Sequence, residues 1–349
     1  MQPAAGATLP GQVVIGGYTA EAGGRAAGLT SLRPGPDGYG LVVVDTLEMA
    51  SPTYLLAHPG RPWLFAVSET EPGQVSSMRR DADGTLHLLS TMTTGGAGSC
   101  HLALSPNMRY VVVADYGSGT VSSIPVGPDG RLSRTADQRR FAGSGPDTER
   151  QQGPHAHQVV FDGDELLVPD LGTDRVHRLR LDGAGRFSEA GPAVVLPSGS
   201  GPRHLTVVED HLVVALELSG ELWLGRRADD GGWAEVERVR CTGTAAGGDL
   251  YPSALRADGE TVLVANRGPG TVAVFSLDRV AQTLRLVDEL DGGGRWPRDL
   301  VVTDDLLWVA NQTDDLVSVL PRGRPASDPV LSVASPTPAC ILLLPATGR

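Results

Sequence analysis

A motif recurs along this chain, and recurrence constrains a fold more than any single residue does. Six segments open on one plan: Ser51-Pro52-Thr53-Tyr54, Ser99-Cys100-His101-Leu102, Pro154-His155-Ala156-His157, Pro202-Arg203-His204-Leu205, Tyr251-Pro252-Ser253-Ala254 and Trp296-Pro297-Arg298-Asp299. Each leads into a short apolar stretch. A second stretch follows (WLFAVSE, YVVVADY, LLVPDLG, VVALELS, VLVANRG, LWVANQT), then a third in which small or polar residues alternate with apolar ones, as in TVSSIPV and TVAVFSL. Alternation with a period of two is what a half-buried strand requires. Asp83-Gly84, Asp129-Gly130 and Asp182-Gly183 then supply hairpin turns before a weaker fourth strand. Short antiparallel strands in fours, repeating every roughly 40–50 residues, are the signature of β-propeller blades.

The two ends of the chain supply one blade more. Thr337-Pro338-Ala339-Cys340 and the apolar run after it read as an isolated first strand, while GQVVIGGYT, GLTSLRP and YGLVVVDTLEM read as strands two to four. Pairing them closes the ring and removes the free edges of an open array. The sequence therefore predicts an all-β protein: a seven-bladed β-propeller, one domain over residues 1–349, its last blade closed by N- and C-terminal strands. Helical periodicity is absent, and no linker divides the chain.

Composition narrows the function. The 29 basic residues are all Arg and face 41 acidic ones, for a net charge of −12, which suits neither nucleic acid nor any other polyanion. A hydrophobic fraction of 40% is enough for a large core and excludes disorder. No apolar run reaches the ~18–20 residues of a membrane helix, so no membrane partner is expected. The opening MQPAAGATLPGQVV has neither the basic nor the apolar region of an export signal, and Cys100, Cys241 and Cys340 form no CxxC pair. These point to the cytoplasm and away from structural zinc. Without Lys there is no Schiff-base chemistry, and without Gly-x-Ser-x-Gly no serine-hydrolase elbow.

Topology sorts the polar residues. In a blade the first strand lines the channel and the second runs antiparallel to it, so first-strand starts and second-strand ends share one face of the ring. The starts carry His101, His155, His157, Arg203, His204, Arg298 and Asp299; the ends carry Glu69, Asp115, Asp170, Glu217, Asn266, Arg267 and Asn311. Planar guanidiniums bind carboxylate or phosphate in a fork and can stabilise an oxyanion. Glu217 and Asp170 are candidate bases or histidine orienters, and His155 and His157 titrate near neutrality. An acidic or amide residue ends the second strand in all six units, which suggests turn caps for Asp115 and Asn311. Glu217 and Arg267 stand out as the non-repeating members. His155 and His157 could also be two ligands of a metal with a third from His101, His204 or Glu217, although the reading preferred here has no metal and no cofactor. His58, His87, His177 and His211, at turns or outer strands, carry no assigned role.

Taken in order, Pro154-His155-Ala156-His157, Pro169-Asp170-Leu171-Gly172, Gly201-Pro202-Arg203-His204, Glu217-Leu218, Asn266-Arg267-Gly268, Pro297-Arg298 and Asn311-Gln312 resemble the seven-bladed lactonase family. That family includes propeller-type 6-phosphogluconolactonases and fungal carboxy-muconate lactonizing enzymes. The resemblance implies a metal-independent site at the channel mouth, with its histidine, two arginines and glutamate carried over as His155, Arg203, Arg267 and Glu217. Ser99-Cys100-His101 departs from it, where Pro-Cys-His would be usual. The expected activity is hydrolysis of an anionic sugar-acid lactone, catalysed by His155, Arg203, Glu217 and Arg267. The substrate, a small anionic metabolite, would be held by His101, His157, His204, Asp170, Arg298 and Glu69. A lactonizing cyclase and a non-catalytic binding propeller are the alternatives; sparse aromatics and a charged channel mouth favour chemistry over a protein-binding rim.

Overall fold

A computed structural model describes residues 9–36, 40–243, 249–322 and 328–346. Residues 1–8, which hold most of the stretch read for an export signal, and the other termini of the expected single domain lie outside the described residues.

Seven antiparallel sheets form the propeller, six with four strands and one with five. The second strands explain the architecture best. Tyr110–Asp115, Glu165–Asp170, His211–Leu216 and Leu306–Asn311 are buried at every position. A strand rich in Val, Leu and Ala on both faces is stable only when sandwiched between neighbouring sheets. Outer strands such as Trp233–Arg240 instead alternate exposed charge with half-buried apolar residues.

The seventh blade is composite. The C-terminal strand Pro338–Leu344 pairs antiparallel with Gln12–Gly17, with Val13 opposite Leu343 and Ile15 opposite Ile341, followed outward by Gly28–Pro34 and Leu41–Glu48. Its core continues into both neighbours: Val13 and Ile15 cluster with Trp308 of the sixth blade, Val14 and Cys340 with Leu55 and Met78 of the first.

Six first strands begin with a slip in register: between Pro52 and Tyr54, Ser99 and His101, Pro202 and His204, Pro252 and Leu255, Pro297 and Asp299, and Pro338 and Cys340. A bulge re-aims side chains where it occurs. Arg203 and His204, neighbours in sequence, consequently line one and the same cavity, as do Arg298 and Asp299.

The third blade departs from expectation. Its first strand is only Val160–Asp162, and the stretch from Pro154 onward is held by a single bridge between Ala156 and Asp170. The Asp170 carboxylate takes over from the missing ladder: its Oδ1 accepts the backbone N–H of His155 at 2.7 Å and of Gly172 at 3.1 Å.

Candidate active site

Glu217 follows the last residue of the fourth blade's second strand, its N–H bonded to Gly201 O at 2.7 Å. The carboxylate is 2% exposed and gathers three guanidiniums. Oε2 lies 3.0 Å from Arg203 Nε and 2.6 Å from Arg267 Nη2, and Oε1 accepts from Arg150 Nη2 at 2.6 Å. Burial opposes ionisation, but the charges of Arg267 and Arg203 outweigh it and hold Glu217 well below the usual carboxylate range. Burial and the nearby Arg267 lower Arg203 to about 9, so both partners are charged at neutral pH. The Arg203–Glu217 contact is a charge contact without hydrogen-bond alignment, and Arg203 Nη1, also buried, has no hydrogen-bond partner among the described residues.

The facing wall comes from other blades. Tyr18, just after the seventh blade's second strand, donates its hydroxyl to Glu69 Oε2 at 2.9 Å. Arg298 donates to the same phenol oxygen, its guanidinium 4.9 Å over the Tyr18 ring. Chiefly through burial, the phenol is held far above its ordinary range.

Between the walls lies a polar cavity of about 20 Å³, room for about one water. Glu69, His157, Arg203, His204 and Arg298 line it, together with Cys100. His157 and His204 stand edge to face with ring centres 5.7 Å apart, and His101 packs on His204 at 5.8 Å. Burial first, then the surrounding arginines, hold all three imidazoles well below their ordinary range, so they are neutral. Burial also pushes the Cys100 thiol up, which leaves it inert as a nucleophile despite a 3.9 Å approach to His157 Nδ1.

Below this cavity the channel is plugged. Arg256 donates to Asp299 Oδ1 at 2.7 Å, beside Tyr54 and His101. Beyond the plug the opposite channel end widens into a mainly apolar funnel of about 680 Å³. His101 lines that funnel and not the polar cavity, so the structure sets it apart from the site its sequence position suggested.

His155 and His157 are divided too. Both flank the Tyr116 ring, at 4.4 and 5.4 Å, but only His157 reaches the cavity. His155 is half-buried at the mouth, its Nδ1 2.8 Å from the backbone oxygen of Tyr116. A carbonyl only accepts, so Nδ1 carries a proton, and Nε2 is the ring nitrogen turned away from that bond. Tyr116 also bonds Arg150, the residue that reaches Glu217, which ties His155 to the arginine cluster.

Asp170 is placed elsewhere. Besides its two backbone bonds, its Oδ2 meets His177 Nε2 at 3.0 Å, and His177 is stacked on Phe141 at 3.7 Å. Both residues brace the third blade, which gives His177 a role the sequence did not suggest. Asp115 and Asn311 likewise serve the scaffold: Asp115 bonds Ser99 and Thr120 in its own blade and Thr94 after the outer strand of the preceding one, and Asn311 bonds Ser318 in its own blade and Gly292 after the outer strand of the preceding one. Among the described residues no group of His, Cys, Asp or Glu is placed to hold a metal ion.

Sequence reasoning missed Arg150 and Tyr18. Tyr18 was within reach, since the second-strand rule applied to the composite blade selects Gly17-Tyr18-Thr19. Arg150 sits in a loop, where no strand pattern fixes its direction.

The model of the family described as lactonase, 7-bladed beta-propeller, matches residues 12–342, and the chain belongs to that family of lactone-hydrolysing enzymes. It is 29% identical over 311 residues to 6-phosphogluconolactonase from Bacillus subtilis, covering 85% of this chain and 88% of that one. Two solved structures superpose over nearly the full length. One is a putative 6-phosphogluconolactonase from Bacteroides fragilis, with a TM-score of 0.86, 28% identity and coverage of 98% and 99%. The other is the periplasmic gluconolactonase of Pseudomonas aeruginosa, with a TM-score of 0.88, 27% identity and coverage of 96% and 99%.

Proposed function

We propose that this chain hydrolyses the lactone of an anionic sugar acid, 6-phosphogluconolactone being the first candidate, at the mouth built around Glu217. The observation that carries the reading is the buried Nη1 of Arg203, which has no hydrogen-bond partner among the described residues, within a cluster where one carboxylate serves three guanidiniums. A buried cationic donor left without a partner is costly unless a ligand completes it. The excess positive charge suits an anionic group and, at the moment of attack, the oxyanion.

In this scheme His155 Nε2 takes a proton from water as the water oxygen adds to the lactone carbonyl. Arg203 and Arg267 stabilise the resulting oxyanion. The ring C–O bond then breaks, and the imidazolium returns its proton to the departing alkoxide, which leaves the open acid. Glu217, held so far below the usual carboxylate range, is a poor base; it organises the guanidiniums instead. Kinship with lactonases of the same fold supports the reaction class.

The test is proton release from 6-phosphogluconolactone and from unphosphorylated gluconolactone, each against its spontaneous rate. Acceleration of the phosphorylated lactone, with a lower KM than its neutral counterpart, is expected. Rates equal to the spontaneous ones for both lactones would overturn the reading.

A further inference from the structure

The residue just before the first strand is left-handed in five blades: Ser51 at φ 35°, Gly98 at 65°, Gly201 at 62°, Trp296 at 61° and Thr337 at 40°. Glycine is the natural occupant of such a position, because L side chains resist it. Where glycine is absent, two of the three substitutes have evident work inside the fold. Ser51 Oγ accepts the Thr19 N–H at 3.1 Å, and Thr337 Oγ1 donates to Tyr18 O at 3.0 Å. Trp296 is the exception. Among the described residues its indole N–H makes no hydrogen bond, its ring is half-buried, and a bulky aromatic at positive φ is a backbone outlier. Outliers of this kind cluster where a ligand is held.

Its surroundings say what it faces. The Arg267 guanidinium carbon lies 5.7 Å from the Trp296 ring centre and 5.9 Å from that of Tyr251, and the two rings are 6.2 Å apart, tilted by 58°. Tyr251 is fixed as the cross-strand partner of Arg267, and Arg267 Nη2 is 2.6 Å from Glu217. An aromatic corner therefore stands beside the arginine cluster. Guanidiniums recognise charge; aromatic faces recognise the apolar C–H face of a ring.

We propose that Trp296 and Tyr251 form the platform on which the carbon ring of a cyclic substrate rests, and that this platform, separate from the anion contacts, selects for cyclic over open-chain anions. The inference rests on the lactonase reading above.

Trp296→Gly removes the platform while supplying the residue the backbone prefers, and Trp296→Phe keeps part of the apolar face. With Trp296→Gly we expect KM for 6-phosphogluconolactone to rise roughly fivefold to tenfold with kcat little changed, and Trp296→Phe to recover part of that loss. Inhibition by inorganic phosphate, which engages the guanidiniums alone, should not move in either variant. If phosphate inhibition weakens in step with lactone KM, Trp296 merely positions Arg267 and the platform is refuted. An unchanged KM with Trp296→Gly refutes it as well. Wild-type protein that accelerates no lactone while still binding phosphate would instead overturn the underlying reading, and the platform with it.

Discussion

Arg203 Nε lies 3.0 Å from Glu217 Oε2 while the far end of the same guanidinium, Nη1, is buried with no hydrogen-bond partner among the described residues. In the proposed reaction the carboxylate holds one edge of the guanidinium by charge and the other edge meets the substrate. Arg203→Ala should lower kcat by about 100- to 1000-fold, the loss typical of one oxyanion donor. Circular dichroism and gel filtration should show an intact fold. Turnover at the wild-type level would remove Arg203 from the chemistry.

Glu217 carries the opposite kind of prediction. Removing it strands three guanidiniums in a buried place, and Glu217→Gln should cost about 3–5 kcal/mol of stability at neutral pH. Its folded pKa is depressed, so the stabilisation is complete above its unfolded value of 4.5 and is lost as pH falls from there toward the folded value. The gap between wild type and Glu217→Gln, measured by urea unfolding, should therefore close in acid. A gap that stays constant below 4.5 would contradict the ion-pair account.

The neutral histidines set a second pH window. His101, His157 and His204 are held well below 6.5, whereas in the unfolded chain each takes up a proton as pH falls through that value. The unfolded state then binds more protons, so stability is greatest above this point and declines beneath it, by up to about 1.4 kcal/mol per pH unit for each imidazole. Replacing His204 with Asn should flatten the decline by one proton's worth. An unaltered slope would mean that His204 is protonated in the folded state.

His155 tests the base assignment. His155→Gln should reduce kcat by about 100- to 10,000-fold without a large change in thermal midpoint, because the ring is half-buried and braced by one backbone carbonyl. If His157→Gln is the more damaging to kcat and His155→Gln is silent, the base is the cavity histidine instead.

Much of this was legible in the sequence for a physical reason. Repeats report blade count, and antiparallel geometry brings first-strand starts and second-strand ends together. Hence Arg203, Glu217, Arg267, Arg298 and Glu69 could be assigned to one mouth before any coordinates. What topology could not supply was side-chain direction. His101 and His204 carry the same slip at the same place in their strands, yet His204 lines the polar cavity while His101 lines the far funnel. Asp170 looked like a candidate base, yet the shortened first strand of the third blade leaves backbone N–H groups that its carboxylate must satisfy. Arg150 arrives from a loop, whose path depends on contacts that no periodicity encodes.

The composite blade has a consequence for how the ring closes. Tyr18 and Arg298 are 280 residues apart in the sequence, yet the phenol and that guanidinium meet in one wall. Until Pro338–Leu344 pairs with Gln12–Gly17 the ring keeps a gap beside the mouth. That wall is therefore completed by ring closure as a whole, and not blade by blade.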